Sequence, residues 1–351
     1  MIARLLILLI GVLPPVSRWE AHAAEADLYP AATPPPQARV VIAEDPGATV
    51  AFRPQPAVIR SLVDRGVTAL TGTPTPAEAW RALASTNQTL GLKVVSNPGP
   101  ISGTRPVVVE AVIQSLLEAG WTTNRILIWD RQLIHLRLAG FLDLGDKYQI
   151  RVAASTDDGY DPEQFYESSF MGTLVWGDHE FGRTGPGVGR KSYVAKLVSQ
   201  QMDRVISIAP LLNHNLVGVT GHLYSVAQGS VDNTVRFANQ EAQLALAIPE
   251  IYALPVLGDR VVLNLTDALL AQYSGEQSIL LHYSGILNQL RFSRDPVALD
   301  ILSLKELERL RKLDGTAAVK ADLTLYSNAT EVEIGVSDPA KIQVETVRPE
   351  R

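Results

Sequence analysis

The sequence predicts an α/β domain: a mainly parallel sheet flanked by helices, with a long irregular excursion around residues 155–191. Three observations carry this. Short apolar, β-rich runs recur at Leu92–Ser96, Arg125–Trp129, Tyr148–Ala153, Arg204–Ala209 and Arg260–Leu265. Segments of helical spacing lie between them, the alternation that builds a parallel sheet covered on both faces. The composition, 46% hydrophobic and 19% charged, is that of a chain able to bury a core.

From the N-terminus, Met1 and Arg4 lead into the apolar run Leu5–Leu13, and Ala21-His22-Ala23 offers an A-x-A cleavage site. Residues 1–23 therefore read as an export signal, giving a periplasmic or secreted protein with no membrane span after cleavage. An uncleaved first helix serving as an anchor is the alternative. Residues 24–56 carry Pro30, Pro34, Pro35, Pro36, Pro46, Pro54 and Pro56 and read as an extended arm or linker. Residues 57–347 are expected to form a single domain.

Val58–Leu70 places Ile59, Leu62, Val63 and Val67 on one helical face. Thr75-Pro76 reads as an N-cap followed by proline in the first turn. Arg105–Ala119 is a helix opened by Pro106 and closed by Gly120. Gln132–Ala139 is helical and stops at Gly140, and Tyr193–Met202 has helical spacing. Residues 155–191 lack periodicity and suggest a β-ribbon or a flap. In Ser293-Arg294-Asp295-Pro296, Asp295 is placed to cap a helix over Pro296–Leu313. Glu331–Val336 and Ile342–Val347 read as closing strands.

The chain contains no cysteine, which excludes disulfides, thiolate zinc sites, Cys-ligated iron–sulfur clusters and a Cys nucleophile. Its net charge of −6 argues against nucleic acid as a partner.

Polar residues follow four of the buried runs: Asn97, Asp130-Arg131, Asn213-His214 and Thr266-Asp267. Open α/β sheets bind ligands at the carboxyl ends of their strands. If these runs are parallel neighbours, the four groups share one rim. His214 then suits general acid–base work near neutral pH. Asp130 or Asp267 would orient it or hold a cation, and Arg105 or Arg131 would meet ligand charge. Ser230 and Asn233 in GSVDN are further candidate ligand contacts, as is Asp295, for which a structural cap is the competing reading. A divalent cation on His214 and His222 with Asp130 or Asp267 is the weaker alternative, since H-E-x-x-H and H-x-H are absent. His135 and His179 read as structural or solvated. The glycine-rich loops at Gly99–Gly103 and Gly185–Gly189 match neither a P-loop nor a Rossmann fingerprint and read as turns.

The ordered set GLKVVSNPGPISGTRPVVVEAVIQSLLEAG, RILIWDR, APLLNHNLVGVTGHLYSVAQGSVDN and SRDPVALD resembles the DUF362 family, a domain of unknown function. The resemblance runs from about Ala57 to Val347. It implies an α/β domain and no particular reaction, and many of the family's members are associated with iron–sulfur modules. The family's K-V-N-C-like run stands here as Lys93-Val94-Val95-Ser96-Asn97, its Lys-Asp-His as Leu212-Asn213-His214, and its Leu-Lys-Asn as Leu223-Tyr224-Ser225. Cluster chemistry is thereby removed along with two charges.

The expectation is an exported protein with an enzyme-type fold, acting on or binding a small polar or anionic ligand at the strand ends, with no cofactor predicted. A catalytically silent binding or scaffold protein with a protein partner is the alternative.

Overall fold

The structure, a computed structural model, describes residues 37–183, 187–275, 278–317 and 323–349. The expected export signal and the first part of the proline-rich arm lie outside the described residues.

The central sheet is built from β1 (Ala38–Glu44), β2 (Leu90–Val94), β3 (Ile126–Asp130), β4 (Arg151–Ala154), β7 (Arg204–His214), β8 (Val261–Gln272), β9 (Ser284–Ser293) and β10 (Ile342–Val347). Between β4 and β7, β5 (Tyr160–Thr173) and β6 (Val188–Ala195) pair into a separate antiparallel ribbon. The sheet order is β10-β1-β9-β8-β7-β2-β3-β4. The block β8-β7-β2-β3-β4 is parallel throughout, and β9 runs against both of its neighbours. The predicted α/β class, with a mainly parallel sheet, is the observed one.

One face is covered by α1 (Pro56–Thr71), α2 (Pro76–Leu83), α3 (Pro106–Glu118), α4 (Leu133–Leu138) and α5 (Phe141–Tyr148), which bury Leu62, Trp80, Ile113, Leu136 and Phe141 against Leu92, Val94 and Ile128. The other face carries α6 (His222–Ser230), α7 (Glu241–Tyr252), α8 (Pro296–Asp314), α9 (Thr324–Glu331) and the ribbon. Alternation along the strands sorts the two faces. Leu92 and Val94 point one way, and Lys93, in register with Trp129, points the other.

Several local readings hold. Thr75 accepts the amide of Glu78, Asp295 accepts that of Ala298, and Gly140 takes the left-handed conformation that stops α4. Three readings are corrected. The proline-rich arm does not extend to residue 56. Ala38–Glu44 is a strand within the sheet, because its apolar ARVVIAE run finds partners on both edges. Tyr193–Met202 is not one helix: Tyr193, Val194 and Ala195 belong to the ribbon, and a short π-turn follows over Leu197–Gln201. Glu331–Val336 is the end of α9 and a turn rather than a strand. Among the described residues, no helix is long and apolar enough to cross a membrane.

Candidate functional site

Because β8, β7, β2 and β3 are neighbours and parallel, their carboxyl ends do lie along one edge of the sheet. The cleft at that edge is narrower than the four-strand rim. It has a volume of about 190 Å³ and sits over β2 and β3, walled by α6. Lys93 and Asp130 form its base, Arg131 and His135 one side, and Thr220, Tyr224 and Gln228 the other.

Lys93 is 2% exposed, and its ammonium donates to Asp130 Oδ1 at 2.9 Å and to the Val94 carbonyl at 2.7 Å. An ammonium has three donors, so one remains for the cleft. Asp130 also accepts the Arg131 amide at Oδ1 (2.8 Å), and at Oδ2 the amide (2.8 Å) and hydroxyl (2.6 Å) of Ser96. Four donors fill a carboxylate's usual acceptor positions. Burial pushes the Asp130 pKa up, but the charge of Lys93 and these hydrogen bonds together hold it below the ordinary value. Asp130 is thus a fixed anion that positions its neighbours.

Gly229 lets the pair form. A Cβ there would lie 2.4 Å from Lys93 Cε and 3.0 Å from Nζ, so any larger residue at this position forces α6 or the lysine to shift. Asp300 on α8 fixes the other end of α6 by accepting the amides of His222 and Leu223. Burial raises Asp300 to a pKa of about 7.

Three polar atoms of cleft-lining residues are buried without a hydrogen-bond partner: Arg131 Nε, Gln228 Oε1 and Thr220 Oγ1. Thr220 is only 3% exposed. Leaving such an atom unpaired costs about 1–3 kcal/mol. Arg131 also donates to the Thr234 hydroxyl, and it makes no ion pair among the described residues.

Of the residues singled out from sequence, Asn97, Asp130 and Arg131 line this cleft. The others are engaged elsewhere. Asp267 lies inside the β7–β8 ladder opposite Pro210, because β8 continues to Gln272. It is fully buried and paired with Arg105, whose guanidinium and amide donate at 2.8 and 3.1 Å. His214 ends β7, accepts the Leu216 amide at Nδ1 (3.2 Å) and packs against Tyr224, with ring centroids 4.4 Å apart and ring planes tilted by 56°. His214, Asp130 and Asp267 therefore do not face one cavity, and the expected acid–base set is not assembled. Asn213 accepts from Arg311 and donates to Asn215. Ser230 donates to the Val226 carbonyl within its own helix. Asn233 binds the Lys191 carbonyl and gives its amide to Asp178. Asp295 divides its oxygens between the amides of Ala298 and Val336 and acts as a cap.

The cation alternative fails on geometry as well. His222 is enclosed between the hydroxyls of Ser207 (2.8 Å) and Thr266 (3.0 Å), and burial lowers its pKa to about 3. Among the described residues, no three His, Asp or Glu side chains are placed to hold a metal.

Sequence reasoning missed Lys93, Thr220, Gln228 and His135 as cleft residues. Lys93 had a signal, a lone charge inside the apolar run GLKVV. The other three had none, since only the placement of α4 and α6 brings them together.

No family model and no curated protein matches the chain. Among solved structures it is similar to a Thermotoga maritima protein whose crystal structure was determined by a structural genomics consortium. The two are 12% identical with a TM-score of 0.40, over 75% of this chain and 59% of that one. The chain thus spans about three fifths of that protein's length.

Proposed function

We propose that this protein binds a small, polar, singly charged anion in the cleft over β2 and β3. The observation that carries the reading is the set of polar side chains that lines that one cavity: Lys93, Asp130, Arg131, Thr220 and Gln228. Their chemistry describes the ligand. The Arg131 guanidinium is a donor, the Gln228 amide carries both donors and an acceptor, and the Thr220 hydroxyl can serve as either. Lys93 and Asp130 cancel in charge, so Arg131 leaves the cleft one positive charge in excess. A small hydroxycarboxylate, with its carboxylate toward Arg131 and its hydroxyl toward Gln228, meets each requirement.

Binding without turnover is the favoured form of this reading. It is supported by the full commitment of Asp130, of the Asp267 carboxylate to Arg105, and of His214 Nδ1 to the backbone, which leaves none of them facing ligand as a base. The proposal also includes export, resting on the Leu5–Leu13 run and Ala21-His22-Ala23, and kinship with the DUF362 family, resting on the motifs quoted above.

The test is a thermal-shift and calorimetric panel of small hydroxycarboxylates against the wild type, Arg131→Gln and Thr220→Val. A ligand that binds stabilises the folded state by mass action. The expected result is a ligand that stabilises the wild type and loses affinity in both variants. A panel without effect at millimolar concentration, or a ligand indifferent to both substitutions, rejects the cleft as the site.

A further inference from the structure

A second pocket, of about 410 Å³, opens beside the ribbon. It is lined by Tyr160 at the start of β5, by Trp176, His179, Phe181 and Arg183 from the turn between the ribbon strands, and by Lys196 just after β6. The function proposed above makes no use of it.

Two features of this pocket are unusual together. The first is aromatic surface left in water: Trp176 is 82% exposed and Phe181 46%. Isolated exposed apolar residues are ordinary, but two large rings on one concavity are a patch with a shape. The second is unpaired positive charge. Neither Arg183 nor Lys196 forms a salt bridge among the described residues, and the Arg183 guanidinium instead approaches His179 Nε2 at 3.3 Å. The one carboxylate in the lining, Asp178, is turned inward and accepts the amides of Val175 and Asn233 at 2.8 and 2.9 Å. His179 senses the resulting field. Burial and the charge of Arg183 lower its pKa, with Lys196 adding to them against Glu180. The imidazole is thereby held toward its neutral form, and the pocket holds two cations against one inward-facing anion.

A flat exposed ring offers stacking, and clustered cations offer an anion site. A ligand that uses both must carry the two groups on one frame. We propose that this pocket is a separate binding site for a planar aromatic anion, with the ring against Trp176 and the acidic group between Arg183 and Lys196. A ring-bearing phosphate and a ring-bearing carboxylate share this chemistry, and the probes below distinguish them.

The experiment uses the full chain, with AMP and indole-3-carboxylate as probes and adenosine, inorganic phosphate, indole and formate as their halves. Affinity is read by calorimetry and tryptophan fluorescence. At least one probe should bind about tenfold tighter than either of its halves. Trp176→Ala and Lys196→Gln should each weaken that probe by about fivefold, the scale of one aromatic or charge contact. Both positions are outside the core, so unchanged thermal unfolding confirms that the variants fold. Thr220→Val, in the other cleft, should leave the affinity unchanged. The proposal is overturned if neither probe outbinds its halves, if both pocket variants bind like the wild type, or if Thr220→Val rather than Lys196→Gln removes binding. The last outcome would assign the ligand to the first cleft.

Discussion

The Lys93 ammonium and the Asp130 carboxylate meet at 2.9 Å beneath α6, on adjacent parallel strands, with the lysine almost completely out of solvent. The pair is more than an isolated contact. Asp130 also gathers the backbone of Arg131 and both donors of Ser96, so one carboxylate orders the turns that leave β2 and β3. Removing one partner of a buried pair strands the other's charge, which costs about 3–5 kcal/mol. Asp130→Asn should lower stability by that order in urea unfolding. Lys93→Met combined with Asp130→Asn should cost less than Asp130→Asn alone. A double variant that loses the sum of both single effects would show that the two groups act separately.

The acid side of the stability profile should carry the signature of the same carboxylate. The Asp130 pKa is depressed in the folded state, so its contribution is present above the unfolded value near 4 and is lost as pH falls through the folded one. Urea midpoints measured from pH 5 down to pH 2 should fall less steeply in Asp130→Asn than in the wild type.

Asp300 predicts the opposite slope in a different window. Burial raises it to a pKa of about 7, as burial does for Asp232, despite the amides that each accepts. A carboxyl whose folded pKa is raised contributes fully below the unfolded value near 4, and the contribution is lost as pH rises toward 7. The linkage is on the order of 4 kcal/mol at most for each group. Asn can still accept the α6 amides, so Asp300→Asn should reduce the decline in stability between pH 4 and pH 8. A wild-type profile that is flat across this range would contradict the assignment.

Gly229→Ala should disturb the cleft from the helix side. The added methyl meets Lys93 Cε at 2.4 Å, inside any tolerable contact, and either α6 or the lysine must shift. Overpacking of this kind costs about 1–3 kcal/mol. Both the unfolding midpoint and the affinity for the cleft ligand should drop. The check is to measure the two together, since a loss of stability at unchanged affinity would place Lys93 outside the binding surface.

Asp267→Ala separates structure from site. The substitution leaves the Arg105 guanidinium buried without its carboxylate, with a cost of about 3–5 kcal/mol. Because neither residue lines the cleft, the ligand affinity of the folded fraction should stay within about twofold of the wild type, the change a few tenths of a kcal/mol would produce. A tenfold loss measured by calorimetry under stabilising conditions would return Asp267 to the site.

Much of this protein follows from local chemistry, and that part was legible in the sequence. The apolar runs at Leu92, Ile126, Val205 and Val261 form strands because their side chains suit a surface buried on both faces. Thr75, Pro76, Asp295 and Pro296 start helices through contacts within three residues. The absence of cysteine closed off thiolate chemistry at once. Segments whose state depends on a distant partner were misread. Tyr193–Met202 has helical spacing, but β5 supplies a ladder that holds Tyr193–Ala195 extended, and ARVVIAE becomes a strand between partners some 250 and 300 residues away.

The site divides in the same way. Polar residues at the ends of parallel strands pointed to the edge of the sheet where the cleft opens, and Asn97, Asp130 and Arg131 line it. Which of the remaining polar groups would be spent on the fold was decided by tertiary structure alone. Asp267 is taken by Arg105 from 162 residues away, and Asp300 caps a helix 77 and 78 residues before it. The physical reason is that a buried charge or amide binds whichever group the strand order and helix packing bring within about 3 Å. That choice is made across the sheet and between layers, where spacing along the chain carries no information.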